Sequence, residues 1–285
     1  MIDYPALAAL AEIARRGSFD GAAQALGITQ PAVSQRIKSL EAKMGQVLLD
    51  RGPPIAPTEA GLRLIAHWGQ VQLLEAGLEV TPTARPTIRI AMNADSLASW
   101  AIAALPQAPG LVDLVIDDQD HAEGWLRAGL VSAAITAQRG PVAGCDSFEL
   151  GAMRYIACAS PDFIAAHFPD GVTAQALRTV PALIFNSKDG LQDLWVRQHF
   201  GSNIALPCHL IPNAEAFVQA TRLGMGWGMN PELMIAEDLR SGRLVPLHPA
   251  SLDVRLYWQI ARIMAPPLAP LTRAIRRAAA AALIQ

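Results

Sequence analysis

Between Thr29 and Leu40 the residues Gln30, Pro31, Ser34, Gln35 and Lys38 alternate with Val33, Ile37 and Leu40 at helical spacing. If the apolar three face inward, the others share the outward face. Amide and hydroxyl side chains so displayed can read base edges in the major groove. Arg36, Lys38, Lys43 and Arg51 lie around them, suited to neutralising phosphates, and Ser18, which starts the preceding helix, is counted with the DNA-contacting set. From Arg15 to Arg63 seven basic residues face four acidic ones, a local +3 in a chain of net charge −2. A chain that coated nucleic acid along its whole length would be far more basic, so any such contact is local. A three-helix interaction domain is the competing reading of the same spacing.

A second set suits a small ligand. In open α/β sheets ligands sit beyond the carboxyl ends of strands. The first such end is Asn93-Ala94-Asp95-Ser96. A helix starting there offers free N–H groups and the positive end of its dipole to a carboxylate; the plainer alternative is that Asp95 or Ser96 is an N-cap. The next strand ends in Asp117-Asp118-Gln119-Asp120, which reads either as a seat for a cation, costly to bury without a countercharge, or as a solvated acidic loop. Thr136 ends the third strand and has a hydroxyl to offer. Asn186, Asn213 and Glu215 follow strands or start a helix farther on and would close over the ligand, although Glu215 also fits a capping role.

The elements that must hold these residues follow from local signals. Leu7, Leu10 and Ala14 form one helical stripe. Ser18 caps a second helix that Gly27 ends, and Thr29 caps a third with Pro31 in its first turn; two helices joined through Gly27-Ile28 form a helix-turn-helix. Val47-Leu48-Leu49 before Gly52-Pro53-Pro54 predicts a strand and turn, a wing. A helix from Thr58 to about Glu79 carries Leu64, Trp68, Val71 and Leu78 near one face, with Ile65 and Leu74 beside it. Lying outside either globular unit, it is expected to bury that stripe on a second chain, packing on its own domain being the alternative. Val80 to Pro86 is the linker. Beyond Thr87, strands at 88–92, 111–116, 131–136, 155–159, 182–185, 209–211 and 256–260 alternate with helices at 96–105, 121–130, 214–223 and 268–284. This pattern predicts a parallel-rich sheet covered by helices, long enough for two lobes.

Composition and motifs exclude other classes. With 285 residues, 52% of them hydrophobic and 17% charged, the chain is expected to build about two or three folded domains and is not disordered in the main. Cys145, Cys158 and Cys208 are too scattered for a disulfide framework or a metal site and read as free thiols. The start, MIDYPALAAL, has no basic n-region of a secretory signal, and no apolar run reaches the 18 or so residues of a membrane span. Neither a G-x-S-x-G elbow nor a Walker loop occurs, and Gly224, Gly226 and Gly228 have the wrong spacing for a dinucleotide fingerprint. The six histidines form no metal-ligand spacing, and Cys208-His209, neighbours on a strand, point to opposite faces. The expectation is a non-enzyme with no metal and no cofactor.

Gly17-Ser18-Phe19, Ala22-Ala23-Gln24-Ala25-Leu26, Thr29 through Ile37, Leu40-Glu41, Gly45, Leu48-Leu49, Arg51 and Pro57-Thr58-Glu59-Ala60-Gly61 together closely resemble the N-terminal domain of LysR-type transcriptional regulators. The layout resembles theirs along the whole chain. Asn93 through Ala98, Phe168-Pro169, Pro207-Cys208-His209, Glu215 through Gln219 and Leu256-Tyr257-Trp258 are similar to the ArgP/LysG branch, regulators of basic amino acid export. The resemblance implies an α/β protein. A winged helix-turn-helix over residues 1–58 and a linker helix and hinge over 59–86 precede a two-lobed effector domain over 87–285 like a periplasmic binding protein. Lobe I takes about 87–160 and 264–285, lobe II about 161–263. It also implies L-lysine or L-arginine as effector, Asp118 as the acid that meets the cationic end, and an exporter gene as target. Promoter DNA, a homodimer or homotetramer, RNA polymerase for an activator, a cytoplasmic location and no membrane contact complete the expectation. Where the branch carries a basic wing residue, this chain has Ile55-Ala56. The rivals are a LysR-type regulator of another effector and a solute-binding protein.

Overall fold

A computed structural model describes residues 3–53, 55–76, 85–116, 122–201 and 203–285. The N-terminal unit is α1 (Tyr4–Arg16), α2 (Phe19–Leu26) and α3 (Gln30–Met44), then two short antiparallel strands, β1 (Leu49–Asp50) and β2 (Ala56–Pro57). Local chemistry sets the helix limits. Ser18 Oγ accepts from Gly21 N at 3.1 Å and Thr29 Oγ1 from Ala32 N at 3.4 Å, satisfying donors at the starts of α2 and α3. Gly27, at φ 64°, ends α2 in the left-handed region where a side chain would be strained. Leu7, Leu10, Ile13, Val33 and Ile37 are fully buried and form one core with Leu40, Leu48 and Leu49.

The helix α4 (Glu59–Ala76) behaves differently from the expectation. Its apolar positions are anchored within this chain. Leu64 joins the N-terminal core, Leu73 joins the core of the C-terminal unit, and Trp68 lies with its ring centroid 5.6 Å from that of Tyr4. Val71 is only half-buried, and Leu78 and Glu79 fall outside the described residues, as does most of the Val80–Pro86 hinge.

The C-terminal unit runs β3 (Thr87–Met92), α5 (Ala94–Ser99), a 3₁₀ turn at Ala101–Gln107, β4 (Leu111–Ile116), α6 (Ala122–Arg127), β5 (Ala133–Thr136), β6 (Cys145–Ala159), α7 (Pro161–His167), α8 (Ala174–Leu177) and β7 (Ala182–Ile184). It continues with α9 (Leu191–Phe200), β8 (Cys208–Leu210), α10 (Ala214–Arg222), β9 (Gly228–Pro231), α11 (Glu232–Ser241), β10 (Val245–Pro246), β11 (Leu252–Ala261) and α12 (Ala269–Ala282). In lobe I, β3 pairs in parallel with β4 and β5. In lobe II, β7 pairs in parallel with β8 and bridges to Trp227, next to β9, which runs antiparallel to β6.

Two long strands join the lobes. β6 and β11 pair antiparallel from Leu252↔Tyr155 to Ala261↔Cys145, with a bulge between Leu256 and Tyr257. The end of β11 also pairs with β5, so a strand expected to belong wholly to lobe II completes lobe I. At the bulge sits Gly151, at φ 111°, where an added Cβ would lie 2.6 Å from the carbonyl of Ile284. Only glycine admits both the backbone angle and the close pass of the chain end. The sheet is therefore mixed where parallel pairing was expected to dominate. The sequence expectation also missed α9, β9, α11 and the first ten residues of β6.

Candidate DNA interface and effector cleft

The third helix presents the predicted face. Gln30, Pro31, Gln35 and Lys38 are exposed, Ser34 and Arg36 are half-buried, and Val33 and Ile37 are at 0% exposure beneath them. Gln30 Nε2 donates to Ser34 Oγ at 3.3 Å, so these two act as one polar unit. Arg51 differs from the expectation of a cation held ready for phosphate. Its guanidinium pairs with Glu41 Oε2 at 3.1 Å, while Glu41 Oε1 accepts the amide of Leu48 at 3.0 Å. The Ser18 hydroxyl is engaged as the cap of α2, which ties it to helix geometry first.

Of the residues expected around an effector, three come together. Asn93 and Asp95, at the carboxyl end of β3, and Asn186, after β7, line one cavity of about 40 Å³ between the lobes, with Phe185, Asp189 and Pro231. That volume admits a few waters and no larger occupant. Asn93 occupies the N-cap position of α5, yet its side chain makes no capping bond. It is 4% exposed, and neither its amide nitrogen nor its oxygen has a partner. The Ser96 hydroxyl, at 0% exposure, is likewise unpaired, but Ser96 lies one turn along and does not line the cavity. Buried polar atoms without partners each cost about 1–3 kcal/mol, a cost a bound polar group would offset. Neither Asp95 nor Ser96 caps α5. That helix is six residues long, so its dipole is weaker than the carboxylate argument assumed.

The other expected residues are placed elsewhere. Thr136 Oγ1 accepts from Gln259 Nε2 at 3.0 Å, and the same amide donates to Gly140 O at 3.1 Å and accepts from Val142 N at 2.7 Å. Thr136 thus belongs to a buried network that holds the 140–142 loop, not to the cleft. Asn213 Oδ1 caps α10 by accepting from Ala216 N at 2.9 Å. With Glu215 it lines a different and open groove of about 1000 Å³, bordered also by Trp100 and α12. Asp118 and its neighbours Asp117, Gln119 and Asp120 lie outside the described residues.

One lining residue, Asp189, and one residue behind the lining, Tyr155, escaped the sequence reading. Tyr155, 1% exposed on β6, donates its hydroxyl to Asp95 Oδ2 at 2.8 Å. Asp189 accepts from the amides of Phe185 and Leu191, both at 3.0 Å. Burial, with a smaller push from the nearby Asp193 charge, holds the Asp189 carboxyl above the usual carboxylate range despite these two bonds and one from the Gln192 side chain, which favour the charged form. Its only sequence signal was the turn-like Asn186-Ser187-Lys188-Asp189-Gly190.

Comparison with known proteins agrees with this anatomy. Residues 5–62 match the family of bacterial regulatory helix-turn-helix proteins, lysR family, and residues 81–283 match the LysR substrate binding domain. The HTH-type transcriptional regulator LysG of Mycobacterium tuberculosis is 45% identical over 284 residues, 98% of this chain and 94% of that protein. ArgP of Pseudomonas aeruginosa is 46% identical over 283 residues, 95% of this chain and 94% of that protein. The crystal structure of ArgP from M. tuberculosis superimposes with a TM-score of 0.80 at 43% identity, covering 100% of this chain and 99% of that one. Full-length LysG from Corynebacterium glutamicum with bound effector Arg gives a TM-score of 0.67 at 35% identity, with complete coverage of both chains. These relatives are regulators, not enzymes, and the chain belongs to the LysR family of bacterial helix-turn-helix transcriptional regulators.

Proposed function

We propose that this regulator takes a basic amino acid, L-arginine or L-lysine, in the cleft between its lobes. The observation that carries the reading is the lining of that cleft. Asp95 and Asp189 contribute carboxylates, and no Lys, Arg or His is among the described lining residues. Two half-buried carboxylates on one wall attract a cationic ligand more than a neutral or anionic one. The relative that holds Arg supports the same choice. Asn93 and Asn186 offer amides to the polar end of the ligand, with Ser96 close behind. Asp118, expected to meet the cationic end, remains part of the proposal.

On DNA, Gln30, Ser34 and Gln35 read base edges, and Pro31 packs beside them. Arg36 and Lys38 meet phosphates, Arg51 and Ser18 contribute near the backbone, and the Ile55-Ala56 wing adds no charge. The working form is a homodimer or homotetramer, because paired reading heads engage half-sites about one helical turn apart or multiples of it. The ligand shifts an equilibrium between arrangements only as far as it favours one of them. Control of an amino acid exporter gene, contact with RNA polymerase if it activates, and a cytoplasmic location beside the chromosome complete the proposal. No helix among the described residues is long and apolar enough to cross a membrane.

A gel shift of the full-length protein on its own promoter fragment, with and without L-arginine or L-lysine at about 1 mM, enough to fill a site of micromolar Kd, tests this reading. Retarded DNA whose mobility or footprint changes with the basic amino acids alone is the expected result. No retardation, or no response to either amino acid, overturns it.

A further inference from the structure

We infer that α4 is latched onto the C-terminal unit of its own chain by a glycine seat, Gly69 against Thr87, with Leu73 as apolar anchor. The latch fixes the reading head to that unit and passes displacements of β3 to it. The second half of the inference rests on the cleft answering to a basic amino acid; the latch itself does not.

Three observations place the latch. First, an added Cβ at Gly69 would lie 2.7 Å from the carbonyl oxygen of Thr87, the first residue of β3. The obstacle is backbone, which does not swing aside as a side chain would. Gly69 sits inside a regular helix, where alanine is the better former, so the close pass and not the helix calls for glycine. Second, Leu73, one turn along the same face, is 2% exposed and belongs to one core with Ile88 and Ile90 of β3. Third, the seat is held from its other side. Leu111 donates its amide to the Pro86 carbonyl at 2.8 Å, and a Cβ at Gly110 would collide with that oxygen.

The start of α4 is seated in the same manner. A Cβ at Gly61 would collide with the carbonyl oxygen of Leu48, and Leu64 is buried in the N-terminal core. The two glycines are about 12 Å apart along the helix axis, so one short stretch of rod grips both units. β3 then connects the latch to the cleft. Thr87 opens the strand, and Asn93, which lines the cavity, follows its last residue, Met92. Pairing with β4 and β5 stiffens this strand of about 20 Å. A ligand that displaces Asn93 therefore acts on the seat of α4.

The competing role for Gly69 and Leu73 is passive packing that transmits nothing. Fluorescence anisotropy of the full-length protein on its promoter fragment, with and without L-arginine, separates the roles, beside calorimetric titration of arginine without DNA. Gly69→Ala spoils the seat; Gly124→Ala on α6, where an added Cβ meets nothing within 4 Å, is the control. In Gly69→Ala the ratio of DNA affinities with and without arginine should fall toward 1, from the roughly 5- to 150-fold typical of coupled sites. Arginine affinity without DNA should hold, and the control should match wild type in both. Amide hydrogen exchange in residues 65–76 and 87–92 should quicken by roughly tenfold in Gly69→Ala, with α1 to α3 unaltered. A wild-type ratio in Gly69→Ala, or arginine affinity lost in step with the ratio, overturns the transmission, and unaltered exchange overturns the latch. If Gly69→Ala does not fold, Leu73→Ala decides by the same readings. If neither arginine nor lysine alters DNA binding by wild type, the basic amino acid reading fails instead, and the exchange pattern decides the latch.

Discussion

The Tyr155 hydroxyl donates to Asp95 Oδ2 across 2.8 Å, tying the strand that runs through both lobes to a residue that lines the cavity between them. Tyr155 is 1% exposed, so the bond is shielded and its loss is felt. Tyr155→Phe keeps the ring packing and removes the donor. It should destabilise the protein by about 1 kcal/mol, a fall of roughly 2–4 °C in melting midpoint for a domain of this size. Arginine affinity should fall several-fold, because Asp95 loses one of the bonds that direct it. Calorimetry reads both, and a variant with unaltered affinity would show that Asp95 needs no anchor.

Thr136 and Gln259 offer a contrasting test, since both lie deep in the fold but away from the cleft. Thr136→Val removes one acceptor from the Gln259 amide, which still donates to Gly140 O. The expected loss is about 1 kcal/mol of stability with unchanged ligand affinity. Gln259→Leu strands the amide of Val142 and the carbonyl of Gly140 together, with an expected loss of about 2–3 kcal/mol. Should Thr136→Val abolish arginine binding while the melting midpoint holds, the threonine serves the ligand after all.

What was legible in the sequence follows the range of the interactions. The first three helices announce themselves because Ser18, Thr29 and Gly27 act within a few residues of their own positions. The apolar stripe of α3 fixed which of its residues face outward for the same reason. Most of β6 was illegible, because Asp146, Ser147 and Glu149 interrupt its apolar pattern and its partner strand begins about a hundred residues later. The network around Thr136 was illegible because Gln259, which donates to its hydroxyl, lies 123 positions away. Asp189 sits in a segment whose composition says only turn. What gives it a role is the meeting of two lobes, which no local pattern encodes.

Among the described residues, Asp238 is the most enclosed acid with two basic partners. Its carboxylate lies at 0% exposure between Arg222 Nη2 at 2.7 Å and Arg243 Nε at 2.8 Å. Burial alone would push its pKa up, but the hydrogen bonds and charges of the two arginines outweigh burial and hold it below the usual carboxylate range. A depressed folded pKa contributes stability that is present above the unfolded value, near 3.9, and is lost as pH falls through it. Asp238→Asn should therefore cost about 1–2 kcal/mol at pH 7, a figure moderated by the exposure of both arginines. The gap between variant and wild type should narrow as pH drops below about 4. Urea unfolding across that range checks it, and a gap that widens toward acid would contradict the assignment.

Two cations of the N-terminal unit, Lys38 and Arg51, should differ in how they depend on salt. Lys38 is exposed on the outward face of α3, whereas Glu41 already takes the Arg51 guanidinium. A phosphate contact releases condensed counterions, so losing one full contact lowers the slope of log affinity against log salt by about 1. Lys38→Ala should show that change and weaken binding to all sequences alike. Arg51→Ala should change the slope by clearly less, because the native pair with Glu41 must be given up, or shared, to meet a phosphate. Ser34→Ala should leave the slope untouched and instead relax discrimination between operator and mutated operator, as expected of a base contact. Equilibrium binding measured over a salt series separates the three. Equal slopes for the Lys38 and Arg51 variants would mean that the Glu41 pair is absent on DNA, and a slope change from Ser34→Ala would move that residue from the bases to the backbone.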